Sequence, residues 1–229
     1  MRKTAILVDG AFFLKRALKI FGQLNPDELA DKLFQYSIAH LKIHNHHEQD
    51  CCADELYRIF YYDCPPLNKK LQHPITKQNI DFGKSERAIW RTTFFNELNS
   101  KRKVALRLGR MDEVNTNWVI NPKLTNKLIS GSLEISQLQE SDITLSIKQK
   151  GVDMRIGIDI ASLAYKRLVG RIVLIAGDSD FVPAAKLARR EGIDFILDPM
   201  WAPIKPDLFE HIDGLKSTFP NPNKNTISE

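Results

Sequence analysis

Four aspartates in this chain stand where acids can act together: Asp9 in AILVDG, Asp153 in KGVDMR, and Asp178 with Asp180 in LIAGDSDF. Two of these stretches share one form, a short apolar β-branched run that ends abruptly in an acid beside a glycine. A buried strand followed by a turn produces that pattern and leaves the acid at the strand's carboxyl end. In open α/β sheets that is the edge where ligands bind. Carboxylates collected there repel one another unless a cation neutralises them, so the set points to a Mg²⁺ or Mn²⁺ site. Helix capping can explain each acid singly, since Ser179 or Asp180 could cap the helix that contains Pro183. Only a cation explains all four.

The elements that must carry these acids can be read from the hydrophobic pattern. Thr4 to Val8 form a first strand, and helical spacing follows over Ala11 to Phe21, closed by Gly22. Asn25 and Pro26 open a second helix that runs to about residue 46. Leu56 to Tyr62 read as a second strand, and Leu67 to Gly83 as a polar loop. A third helix is predicted over Ser85 to Asn99 and a strand over Val104 to Leu108; Gly109 to Ser141 has no clear period. After a short strand at Ile143 to Ile147, Val152 to Leu168 is helical. The run Ile172 to Ala176 is apolar throughout, as a central parallel strand should be. A helix from Asp180 to Arg190 and a last strand at Asp194 to Leu197 complete a βα series typical of a doubly wound domain. The tail 216–229, rich in Asn and Pro, is expected to be disordered.

Two further acids have bland readings. Asp159 lies six residues beyond Asp153, about 120° away around a helix, so it does not share that face and would either support the site acids from behind or serve structure. Asp63 ends a strand and could reach the same edge, but the turn Asp-Cys-Pro-Pro also accounts for it.

Bulk properties narrow the classes. A chain of 229 residues, 43% hydrophobic and 27% charged, can build one large domain or two small ones. It contains no apolar run of about 18 residues, so no membrane span is expected, and MRKTAILVDG lacks the form of a signal peptide. Three cysteines, two of them adjacent, are no disulfide framework and fit a reducing cytoplasm. The net charge of +5 favours an anionic partner only weakly. His40, His44, His46, His47, Cys51 and Cys52 do not have the usual spacing of zinc ligands, and a polar helix end explains them better. Gly-rich phosphate loops are missing, which speaks against nucleotide cofactors.

In this order, AILVDG, KGVDMRIGIDI and IVLIAGDSDFVPAAKLARREG resemble the NYN domains of the PIN-like nuclease superfamily. The likeness covers roughly residues 1–200, and 64–142 contribute little to it. It implies a Rossmann-like, PIN-like three-layer α/β fold with a central, mainly parallel sheet. One such domain would span 1–215, with an irregular insertion around 64–142. It also implies Mg²⁺- or Mn²⁺-dependent cleavage of RNA phosphodiesters. Asp9, Asp153, Asp178 and Asp180 would then be the metal-binding, catalytic acids, Ser179 would share their turn, and Lys150 would lie near a substrate phosphate. One departure stands out: many relatives carry D-G-x-N after the first strand, where this chain has Phe12.

Basic side chains must hold an RNA strand, and those flanking the acids are Lys148, Lys150, Arg155, Lys15, Arg16 and Lys19. Of these, Lys150, Arg155, Lys15 and Arg16 are the expected substrate contacts, together with Ser179. Arg87, Arg91, Lys101, Arg102 and Lys103 form a third cluster, with Trp90, Trp118 or Tyr62 as stacking platforms. Each basic cluster is more often a solvated helix face. The rival reading is a module on the same fold that binds RNA or protein and cleaves little. An acid-cluster phosphatase is disfavoured because a D-x-D-G-T run is missing. Homodimerisation through the central region is compatible with the sequence, which does not demonstrate it.

Overall fold

A computed structural model of the chain describes residues 1–42 and 53–222. In chain order its strands are β1 (Lys3–Asp9), β2 (Glu55–Asp63), β3 (Lys70–Gln72), β4 (Asn79–Asp81), β5 (Val104–Leu108), β6 (Arg110–Met111), β7 (Asn117–Ile120), β8 (Ile143–Ser146), β9 (Gln149–Lys150), β10 (Arg171–Ile175), β11 (Asp194–Asp198) and β12 (Gly214–Leu215). Its helices are α1 (Gly10–Phe21), α2 (Pro26–Ala39), α3 (Glu86–Ser100), α4 (Pro122–Ile129), α5 (Val152–Tyr165), α6 (Val182–Arg190) and α7 (Pro206–Phe209). The residues cluster into two compact units. One takes its described residues from Met1–Asp63, Thr93–Gly109 and Gly151–Glu229, the other from Cys64–Thr92 and Arg110–Lys150.

The first unit contains a six-stranded sheet, order β12-β11-β10-β1-β2-β5, parallel at every pairing. Its middle is a continuous apolar layer: Ala5 to Val8 of β1 and Ile172 to Ile175 of β10 are all buried. That is the composition a parallel strand needs when helices flank the sheet. Asn25 and Glu28 form a capping box at the start of α2, with Pro26 in its first turn. Gly22, at φ 73°, ends α1 by donating its N–H to the Leu18 carbonyl at 3.1 Å.

Several expected boundaries move. α2 stops at Ala39 instead of about 46, because His40 turns its ring into the core to meet Asp198 at 2.8 Å. Residues 43–46 lie outside the described residues, as do His44, His46, His47, Cys51 and Cys52. β11 is not the last strand: Gly214–Leu215 add a sixth, too short for any periodicity to reveal. The chain beyond it is held in place. Ser217 donates to Asp198 at 2.7 Å, Thr218 donates to the Tyr36 carbonyl at 3.2 Å, and the Phe219 ring stacks on Tyr36 at 4.6 Å. Residues 223–229 of the expected tail lie outside the described residues.

The segment 64–142 is likewise not one irregular insertion. Residues 93–109 belong to the sheet-bearing unit, and the second unit extends to Lys150. Within the second unit, β3 pairs with β4, β6 with β9 and β7 with β8, all antiparallel. Strands of two to four residues are too short to carry a readable alternation.

Two glycines beside the acids are required by close approach. A side chain on Gly10 would sit 2.6 Å from the Tyr62 carbonyl and 2.7 Å from the Tyr61 ring. One on Gly177 would sit 2.5 Å from the ring of Phe12. Gly10→Ala should therefore lower unfolding stability by about 1–3 kcal/mol. Gly157→Ala, in a helical position where the new methyl meets nothing within 4 Å, should raise it by about 0.5–1 kcal/mol. Urea unfolding midpoints of the two variants check the contrast; equal shifts would contradict it.

Candidate functional site

Each of the four acids is delivered by a strand end or a helix start. β1 terminates in Asp9, whose carboxylate accepts the Phe12 N–H at 3.2 Å and so caps α1. β10 continues through Ala176 and Gly177 to Asp178, which accepts the Asp180 N–H at 3.2 Å and caps the short 3₁₀ turn Ser179–Phe181 ahead of α6. Gly151 takes the left-handed conformation, φ 82°, that lets the chain enter α5 with Asp153 in its first turn. Capping and clustering are therefore not competing explanations for Asp9 and Asp178: the bond that caps the helix also fixes the acid.

The acids respond to one another electrostatically. Burial pushes the Asp9 carboxyl up to about 6; the Phe12 and Ala11 N–H groups oppose this, and the charges of Asp153 and Asp63 add to it. Asp153 is also raised, first by partial burial and then by Asp178 and Asp180. The mutual repulsion links all three chain segments. Among the described residues, no lysine, arginine or histidine forms an ion pair with any of the four. Nor do any three acids, histidines or cysteines among the described residues lie close enough together to hold one ion. The acids thus repel as a group but are spread more widely than a compact three-ligand site.

The opposite, amino edge of the sheet is handled differently. There Asp54 accepts from Thr4 at 2.7 Å and Arg171 at 2.9 Å, and Asp194 accepts from Arg171 at 2.7 Å and Arg2 at 2.9 Å. The acids at that edge are neutralised by arginines; Asp9, Asp153, Asp178 and Asp180 have no basic partner among the described residues.

The remaining candidates divide. Asp159 accepts from Tyr62 at 2.8 Å and from both arms of Arg107 at 2.8 and 2.6 Å, tying α5 to β2 and β5. Tyr62 is buried and committed to that bond, so it offers no stacking platform. Asp63 is fully buried, with the Tyr61 hydroxyl at 3.3 Å. Arg16 donates two hydrogen bonds to the Met200 carbonyl, at 2.9 and 2.5 Å. Lys150, in the second unit, pairs with Asp112 at 2.6 Å and helps hold that carboxyl down to about 2. Lys15 and Arg155 are exposed. Three members of the third basic cluster are engaged in structure: Lys101 pairs with Asp31, Lys103 lies 3.5 Å from Glu55, and Arg91 donates to the Cys64 carbonyl at 3.0 Å; Arg87 and Arg102 are exposed. Ser179 accepts from Lys205 at 3.1 Å. Nothing in the local pattern marked Lys205, which lies 26 residues away in an irregular segment. Nothing marked the buried His40–Asp198 pair either, since 158 residues separate the partners.

A raised carboxyl binds its proton more tightly in the folded state, so stability is greatest below the ordinary value of 3.8 and falls as pH rises through about 6. Asp9→Asn keeps a capping side chain and removes this charge. In the absence of divalent ions it should be more stable than the native chain at pH 7.5, by on the order of 1–3 kcal/mol. The gain should vanish below pH 4; denaturant titrations at the two pH values test it, and a loss at pH 7.5 would refute the electrostatic reading.

Residues 95–202 match the NYN domain family. The match takes in Asp153, Asp178 and Asp180 and leaves out β1 with Asp9. Among solved structures, the chain is similar to a protein of unknown function from Vibrio parahaemolyticus, at 13% identity and a TM-score of 0.44, covering 93% of this chain and 91% of that one. No curated protein matches the chain. The family-model match, over residues 95–202, takes in β10 and β11 of the parallel sheet, and the NYN domains it describes belong to the PIN-like nuclease superfamily.

Proposed function

We propose that this protein is a metal-dependent ribonuclease that hydrolyses RNA phosphodiester bonds at the carboxyl edge of its sheet. One observation carries the reading: four acids from three segments meet at that edge without a basic partner, while the acids at the opposite edge are paired with arginine. NYN domains are nuclease-like, which supports the reaction class.

The donor set fits a hard divalent ion in kind, since it offers carboxylate oxygens with no counter-charge. Its spread fits an ion that keeps several waters and takes one or two carboxylates directly, as Mg²⁺ does. Asp9, Asp153, Asp178 and Asp180 are the residues that would hold Mg²⁺ or Mn²⁺. A bound divalent ion would lower the pKa of the attacking water and stabilise charge on the leaving oxygen. The protein's own part is to fix the acids. The Phe12 N–H orients Asp9, the Asp180 N–H orients Asp178, and the Tyr62–Asp159–Arg107 network holds α5 and with it Asp153. Attack by water rather than the ribose 2′-oxygen leaves a 5′-phosphate and a 3′-hydroxyl. Lys15 and Arg155, exposed and cationic, are available to the RNA backbone.

A second reading has one observation in its favour. Phe12 stands where many relatives have an amide, and the wider spacing of the acids suits a module that binds RNA or a protein and cleaves little.

Cleavage of labelled single-stranded and structured RNA with Mg²⁺ or Mn²⁺ separates the two. The native chain should cut, EDTA should stop it, and Asp178→Asn should lower the rate by roughly 10²-fold or more without unfolding the protein. A folded native chain that binds RNA but does not cut it would favour the binding module.

A further inference from the structure

Lys205 has no role in the function argued so far, yet the fold goes to some length to place it. β11 ends at Asp198, and the chain then passes through two consecutive residues in the left-handed region, Met200 at φ 47° and Trp201 at φ 60°. Residues with side chains rarely adopt that conformation, and they keep it only where the surroundings fix it. Here they do. The Met200 N–H donates to Asp198 at 2.7 Å, its carbonyl accepts twice from Arg16, and its side chain is fully buried. The Trp201 N–H donates to Ser217 at 3.2 Å and its indole N–H to the Phe219 carbonyl at 2.8 Å. Downstream, α7 fixes the other end of the segment by burying Leu208.

The product of this geometry is an exposed ammonium 3.1 Å from the Ser179 hydroxyl, inside the turn whose other members are Asp178 and Asp180. Lys205 forms no ion pair with either acid or with any other among the described residues. An ammonium has three donors, and the serine takes one. Those left over face solvent beside the carboxylates.

We propose that Lys205 is a phosphate-binding position of the site, donating to a non-bridging oxygen of the RNA backbone at the Asp178–Asp180 turn. The inference rests on the ribonuclease reading for its substrate. It follows from a need that reading creates: an anionic strand approaching four acids requires a fixed positive charge among them. Of the cations flanking those acids in sequence, Lys150 and Arg16 are held by Asp112 and by the Met200 carbonyl, while Lys15 and Arg155 are exposed. Among the described residues, the Lys205 ammonium bonds to a hydroxyl of the acid turn itself, which can be kept as the phosphate arrives.

The test measures binding without cleavage, using a fluorescein-labelled single-stranded RNA and the full chain in EDTA across 50–200 mM salt. Lys205→Ala should weaken binding about 3- to 10-fold and reduce the slope of log K against log salt by about 0.7. Lys205→Arg should restore most of both, and Lys3→Ala, at the amino edge of the sheet, should change neither. A Lys205→Ala protein that binds RNA as the native chain does, but takes up Mn²⁺ more tightly, would make Lys205 a mere counter-charge and overturn the proposal. If that variant also cleaves normally, the ribonuclease reading survives alone. A native chain that neither binds nor cleaves RNA removes both.

Discussion

Repulsion among carboxylates that the fold leaves without counter-charge is the constraint on which this structure turns. A protein of this size has ample arginine and lysine to neutralise four acids, and at the amino edge of the sheet it does so, with Arg2 and Arg171 bonded to Asp54 and Asp194. At the carboxyl edge Asp9, Asp153, Asp178 and Asp180 have no such partner among the described residues. Burial pushes Asp9 up to about 6 and raises Asp153, and the charges of neighbouring acids add to both shifts. A raised carboxyl is a group held in an unfavourable charge state near neutral pH, and such strain is relieved by a cation.

Packing must hold the acids against that repulsion. Gly10 lets the start of α1 press against Tyr61 and Tyr62, and Gly177 lets the end of β10 press against Phe12. Phe12 therefore does two things: its N–H donates to the capping Asp9, and its ring lies against the glycine that precedes Asp178. An aromatic ring here joins the two strand ends through apolar contact. The Asp159 network does the same for the third segment by fastening α5 to β2 and β5. Asp159 is a structural acid in this arrangement, off the face that carries Asp153.

The parts of the molecule legible in the sequence are those built from local pattern. Continuous apolar runs marked β1 and β10, and an acid-glycine ending marked where each strand stops. What escaped depends on partners far apart in the chain. Arg16 looked like a substrate contact because its neighbours are basic, but it is consumed by a carbonyl 184 residues away. Lys150 sits three positions before Asp153, yet its charge is paired with Asp112 in the other unit's own packing. Lys205 and His40 could be assigned only once β11 and α2 were in place. β12 and, β8 apart, the paired strands of the second unit are too short for periodicity to mark them.

The central claim is that the carboxyl-edge acids form a site for a divalent cation, and Mn²⁺ binding tests it without reference to any substrate. Calorimetric titration of the native chain at pH 6 and 7.5, beside Asp153→Asn, is the measurement. The account predicts saturable binding that is tighter at pH 7.5, releases protons at pH 6 as Asp9 ionises, and is weakened by the substitution. Heats no different from dilution at either pH, or binding that Asp153→Asn leaves intact, would contradict it.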